Sequence, residues 1–249
     1  MSRPRLVLFG DSITQFGFGE LAGSGYGWIS RLSSTYSRRA DVLSRGFSGY
    51  NTRHALDILP SVLTDCGAGT GGGRVLLFTL WFGANDAALP GTRQHVPAEE
   101  YAANIKKMVG LIRSAHNDAS TPVPPIVLIT PPPVFQPKWE VFCKTYGREK
   151  SDRTNEASRQ YGLAMQNVGK ELECETLDTW TLLGGDAPGY ELYLTDGLHL
   201  SEEGNKAVYE GLMALVEDKF PNLAPMTEGE GRYGEVGVPL CEKLWTELC

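Results

Sequence analysis

Two residues at opposite ends of the chain are best placed to do chemistry together. Ser12 closes the stretch Arg5-Leu-Val-Leu-Phe-Gly-Asp-Ser12, and His199 closes Leu194-Thr-Asp-Gly-Leu-His199. A serine hydroxyl becomes a useful nucleophile only when a base within hydrogen-bond reach takes its proton. The chain offers four histidines for that task. His54 falls in a helical pattern, His95 in a polar loop before Pro97, and His116 at a helix end, where a cation suits the macrodipole. Only His199 has an acid set for one shared turn, Asp196, with Gly197 between them. Such an acid can hold the imidazole in the tautomer that accepts the serine proton. Nucleophilic attack on an acyl carbon also creates an oxyanion, which needs donors. Gly49 offers a backbone N–H that no side chain obstructs, Asn85 a side-chain amide, and Ser12 its own N–H. A lone serine, turn glycine or turn asparagine would mean little. Their joint placement gives them weight.

That placement depends on the elements between them. Arg5–Phe9, Asp41–Phe47, Arg74–Leu80, Pro125–Thr130 and Leu172–Leu177 read as strands, the last an edge candidate because of its Glu and Cys content. Helical patterns fill Trp28–Tyr36, Thr52–Leu63, Pro97–Ser114, Arg153–Lys170 and Ser201–Lys219. Alternating strands and helices imply a mostly parallel sheet covered on both faces. Ligands bind such sheets at the carboxyl ends of the strands. Gly10-Asp-Ser12, Ser48-Gly49 and Gly83-Ala-Asn85 each follow a strand, so they should meet along one edge. The aromatic-rich stretch Val134 to Asp152 has no clear pattern and reads as a pocket wall or lid. Trp81, Phe82, Val134, Phe135 and Trp139 are the candidates for contact with substrate. Asp65 to Gly73 reads as a surface loop. The Gly-, Glu- and Pro-rich segment after Phe220 divides the chain into a domain, 1–220, and a tail or strap, 221–249. Asp11 and Asp86 flank the site and read as acceptors for loop N–H groups.

Composition excludes several function classes. A formal net charge of −7 over 249 residues argues against an extended nucleic-acid surface. No apolar stretch approaches the length of a membrane span, and no signal peptide is evident. Five cysteines without a C-x-x-C pair, and no glycosylation sequon, point to free thiols in a reducing, cytoplasmic setting. A homodimer is compatible with these features and not required by them. Gly17-Phe-Gly-Glu-Leu-Ala22 fits a loose dinucleotide pattern but does not follow a strand directly, which disfavours an oxidoreductase. Gly46-Phe-Ser-Gly-Tyr50 fails the nucleophile-elbow pattern at its last position. Zinc and P-loop spacings are absent.

With those residues in view, the sequence resembles a known family. Gly10-Asp-Ser-Ile13, Gly49, Gly83-Ala-Asn-Asp86 and Asp196-Gly-Leu-His199 look like the four blocks of the GDSL, or SGNH, hydrolases, in the family's order. The detail of Phe9–Thr14, Arg45–Thr52 and Phe82–Ala87 is most similar to the isoamyl acetate-hydrolysing esterase branch. Ile13 departs from the leucine of the family name without touching the chemistry. The resemblance implies a flavodoxin-like three-layer α/β/α sandwich with a five-stranded parallel sheet, no metal and no cofactor. It implies hydrolysis of small carboxylic esters such as short-chain acetates. By position it implies Ser12 as nucleophile, His199 and Asp196 as base and orienter, and Ser12, Gly49 and Asn85 as oxyanion donors. Other readings of the same groups are a carbohydrate O-acetylesterase, a lysophospholipase or thioesterase needing a longer apolar groove, and a non-catalytic ligand-binding module.

Overall fold

In the computed structural model, residues 3–23, 26–67, 74–116, 122–148 and 151–225 are described. Strands form where apolar runs are shielded on both faces. β1 (Arg5–Gly10), β3 (Val75–Trp81) and β4 (Ile126–Ile129) are almost wholly buried, whereas β2 (Asp41–Gly46) and β5 (Glu175–Leu177) are only partly covered. The sheet order β2-β1-β3-β4-β5 accounts for this, since the two partly covered strands are its edges. All pairings are parallel, in the flavodoxin-like arrangement.

The period-two alternation of strand side chains divides the core. Leu6 and Leu8 face one layer, with Trp28, Ile29 and Leu32 of α2 (Trp28–Thr35) and Val208, Leu212 and Val216 of α8 (Glu202–Lys219). Val7 and Phe9 face the other, with Leu59 of α3 (Thr52–Asp65), Ile105 and Met108 of α4 (Ala98–Ala115) and Met165 of α6 (Asn155–Leu172). Side-chain caps open three of these helices: Asn51 for α3, Thr154 for α6 and Ser201 for α8 each accept a first-turn N–H.

Register brings the site together. Gly10 pairs with Gly46 on one side and Trp81 on the other, so β1, β2 and β3 end level. The loops beginning at Asp11, Phe47 and Phe82 therefore leave from one edge, as the strand pattern requires.

Four elements differ from the sequence expectation. α1 (Ser12–Gln15) and α7 (Thr179–Leu182) are single turns, too short for a periodic signal. Val134 to Asp152 is not irregular throughout, because α5 (Gln136–Thr145) occupies its centre. The fifth strand starts later than Leu172, which is the last residue of α6. Glu173 then takes a left-handed turn (φ 52°) before β5. Beyond Phe220 a 3-10 turn, Pro221–Leu223, packs on the domain, and the Tyr36 hydroxyl donates to the Leu223 carbonyl at 2.8 Å. Residues 226–249 of the expected tail and 68–73 of the expected surface loop lie outside the described residues.

Candidate active site

The turn after β1 presents Ser12. Asp11 caps α1, its carboxylate accepting from the Ile13 N–H at 2.9 Å, and Ser12 is the first helical residue. Gly10 permits this tight exit, because a Cβ there would lie 2.2 Å from Thr14 Oγ1 and 2.7 Å from the Trp81 carbonyl. At the first position of a helix, the Ser12 N–H has no intrahelical acceptor.

His199 reaches the same place from the loop before α8. Its Nε2 lies 2.9 Å from Ser12 Oγ, and its Nδ1 lies 2.6 Å from Asp196 Oδ2. The other Asp196 oxygen accepts from the Leu198 N–H at 2.9 Å and the His199 N–H at 2.8 Å. Burial pushes the Asp196 carboxyl up. The hydrogen bond and charge of His199, aided by these two N–H groups, outweigh it and hold the carboxyl below its usual range. A carboxylate so placed keeps the imidazole proton on Nδ1 and leaves Nε2 as acceptor for the serine. Gly197 makes the turn possible: its φ is +96°, and a Cβ would meet the Phe135 carbonyl at 2.5 Å and the Trp139 nitrogen at 2.6 Å.

The other two expected oxyanion donors, Gly49 and Asn85, come from the neighbouring loops. Gly49 has φ +81°, and its N–H has no partner among the described residues. Its loop is fixed by Gln15, which accepts from the Ser48 N–H at 2.7 Å, and by Gln94, which donates to the Gly49 carbonyl at 2.9 Å. The buried Asn85 amide donates to the Tyr50 carbonyl at 2.8 Å, joining the second and third loops. Asp86 ties them again, accepting from the Thr52 N–H at 2.9 Å and its hydroxyl at 2.5 Å. Asp11 and Asp86 are thus loop acceptors. Burial pushes Asp11 up to about 6 and Asp86 up to about 7, with the Asp11 charge a smaller contributor to the latter.

The expected pocket walls need correction. Trp81 and Phe82 do not line the site. Trp81 packs on Trp28 and donates to the Thr130 carbonyl at 2.9 Å, and Phe82 packs edge-on against Phe9, both fully inside the core. Val134 is also core, and Phe135 packs edge-on against Tyr190. Of the five, Trp139 alone borders the imidazole, with ring centroids 6.3 Å apart. Phe16 and Phe142 border it too, at 5.8 and 6.5 Å, and Phe142 stacks on Trp139. The sequence reading missed both. For Phe142 the signal was the helical spacing of Trp139, Phe142 and Tyr146 inside an unassigned stretch. It also missed Arg153 and Gln94, which both bond the Asn85 side-chain oxygen. On the Gly49 side a cleft of about 500 Å³ opens, lined by Ser48, Tyr50, His54, Arg93, Gln94 and Arg148 among others.

The remaining histidines have structural partners. His54 completes the cap of α3, His95 contacts the Ala88 carbonyl and His116 the Ile112 carbonyl. Among the described residues, no group of His, Cys, Asp and Glu is placed to hold a metal ion.

The model of the GDSL-like lipase/acylhydrolase family matches residues 8–207. The chain belongs to this family. Membership makes it a carboxylic ester hydrolase. An isoamyl acetate-hydrolyzing esterase 1 homolog of Bos taurus is 41% identical over 222 residues, covering 88% of this chain and 84% of the relative. A GDSL esterase/lipase of Arabidopsis thaliana is 40% identical over 254 residues, covering 99% of each. The crystal structure of a lipase/acylhydrolase from Enterococcus faecalis superposes with TM-score 0.63 at 22% identity, covering 90% of this chain and 99% of that one. The family's fold is thereby shown for this chain. Among the described residues, no helix is long and apolar enough to cross a membrane.

Proposed function

We propose that this protein hydrolyses small carboxylic esters through an acyl-enzyme on Ser12. The observation that carries the reading is the unbroken relay from Ser12 Oγ through His199 to Asp196, at 2.9 and 2.6 Å. His199 Nε2 takes the serine proton as Oγ attacks the ester carbonyl. The oxyanion forms against the Ser12 and Gly49 N–H groups and the Asn85 amide. Collapse expels the alcohol, which takes the proton from His199. Water, activated by the same imidazole, then frees the acid and restores the serine.

Short acyl esters of apolar alcohols, such as isoamyl acetate, are the substrates this reading favours. The relatives' names point there, and the Phe16, Trp139 and Phe142 rings flank the histidine that protonates the leaving alcohol. One observation favours a second reading, an acetylated carbohydrate: the cleft beside Gly49 is lined by hydrogen-bonding side chains. The negative net charge supports a small-molecule substrate over nucleic acid. Among the described residues, Cys66, Cys143 and Cys174 form no disulfide, which supports a cytoplasmic setting.

The test uses 4-nitrophenyl esters from acetate to octanoate, with Ser12→Ala as control and a fluorophosphonate probe to mark the nucleophile. Wild type is expected to favour short chains and to be labelled, and Ser12→Ala to do neither. Equal turnover by the two proteins refutes Ser12 as nucleophile. Faster deacetylation of xylan oligomers than of alkyl acetates selects the carbohydrate reading.

A further inference from the structure

The guanidinium of Arg153 takes no part in the sequence of steps above, yet it is buried beside one of the oxyanion donors. Arg153 lies just before α6 and is 2% exposed. A cation so deeply buried is costly unless its N–H groups all meet acceptors. Here Nε donates to the Ala84 carbonyl at 3.0 Å and Nη1 to Asp152 Oδ1 at 2.6 Å. Nη2 donates to Asn85 Oδ1 and to Gln94 Oε1, both at 2.8 Å. The guanidinium also lies over the Trp139 ring, 5.0 Å from its centre. Asp152 is the one anion in this set, and it is shared with Arg148 and the Trp139 indole. The remaining acceptors are neutral, so part of the positive charge is directed at the Asn85 amide.

We propose that Arg153 is a positioning residue for the oxyanion hole, fixing the face of the Asn85 amide and strengthening its Nδ2–H as a donor. The proposal rests on the esterase reading above. Two donors converge on Asn85 Oδ1, from Arg153 at 2.8 Å and from Gln94 at 3.0 Å. A flipped amide would set its NH₂ against both donors and its oxygen against the Tyr50 carbonyl. The observed orientation is therefore the one that satisfies every partner. In it, Nδ2 gives one hydrogen to Tyr50 and keeps the other for the oxyanion. A cation bonded to an amide oxygen draws electron density from the nitrogen, so the remaining N–H is more polar and binds an oxyanion better. The bond to the Ala84 carbonyl holds the adjoining backbone in place. The Arg153 charge also reaches the Ser12 loop, where it favours the ionised form of Asp11.

A positioning role and a purely structural one predict different couplings. Steady-state hydrolysis of 4-nitrophenyl acetate is measured for wild type, Arg153→Met, Arg153→Lys, Asn85→Ala and the Arg153→Met/Asn85→Ala double variant. Arg153→Met is expected to lower kcat about 30- to 100-fold with KM within about threefold, the signature of an interaction used in the transition state. Arg153→Lys keeps the charge but not the planar fork, and recovers part of that loss. In the Asn85→Ala background, Arg153→Met is expected to cost less than about threefold, because the group it acts through is gone. The same loss in both backgrounds, or a raised KM with kcat intact, overturns the proposal. If Arg153→Met does not fold, by circular dichroism, the cycle is run with Arg153→Lys under the same criterion. Failure of the esterase reading looks different, since wild type itself would then show no turnover that depends on Ser12.

Discussion

Asp196 uses both of its oxygens on the turn that carries His199, one on the imidazole and one on two backbone N–H groups. Asp196→Asn keeps an acceptor but brings an NH₂ that cannot serve both places. The favoured imidazole tautomer is lost, and kcat is expected to fall on the order of 10³- to 10⁴-fold with KM little changed, read by steady-state ester hydrolysis. The carboxyl sits below its usual range, so its linkage adds stability that is present above the ordinary carboxylate pKa and lost as pH falls through the lowered one. Removing one oxyanion donor acts on the same step: Asn85→Ala is expected to lower kcat about 10²- to 10³-fold in the same assay. Asp196 and His199 were legible in the sequence because one short turn holds both. Arg153 was not. Its bonds to Asn85 and Gln94 span 68 and 59 residues, and nothing local in Ser151-Asp-Arg153 marks it as the partner of an amide on another loop.

At the scale of elements, the turn containing Gly197 and the start of α5 form one joint. The Gly197 carbonyl accepts from the Phe135 N–H at 2.8 Å, and the Gly197 Cα faces the first turn of α5 so closely that no Cβ fits. Gly197→Ala adds a methyl at φ +96° and against two backbone atoms. The left-handed backbone alone costs about 1–2 kcal/mol, and the clash must push the turn away from α5. Unfolding in urea should show a loss of at least that size. Fluorophosphonate labelling of Ser12 should slow more than about tenfold, because His199 moves with the turn. A variant that unfolds earlier yet labels at the wild-type rate would separate the joint from the histidine's position. The sheet and the long helices were legible because their apolar stripes face a core of fixed period. α5 was hidden for the opposite reason. Its Trp139 and Phe142 stack on each other and border His199, Tyr146 just past its end tilts against Phe142, and the prolines at 131–133 and 137 read as loop.

Across the whole molecule, two carboxyls under the site oppose the usual dependence of stability on pH. Burial raises Asp11 to about 6 and Asp86 to about 7, from an ordinary 3.8. A group with a raised folded pKa binds more protons in the folded state than in the unfolded one between those two values. Its contribution is therefore fully present below pH 3.8 and is lost as pH rises through about 7 for Asp86, whereas Asp196 contributes in the reverse sense at lower pH. Asp86 accepts from Thr52 at the head of α3 and its own carbonyl accepts from the Val96 N–H. Ionisation thus bears on the contacts that hold the Gly49 and Asn85 loops together. Asp86→Asn keeps an oxygen for Thr52 and cannot ionise. Wild type is expected to lose on the order of 2–4 kcal/mol between pH 4.5 and pH 8 through this group, and the variant to show a flatter profile whatever its absolute stability. Urea unfolding at intervals across that range reads the slope directly, and parallel slopes for the two proteins would mean that Asp86 is ionised throughout and that its burial is offset by contacts other than those to Thr52.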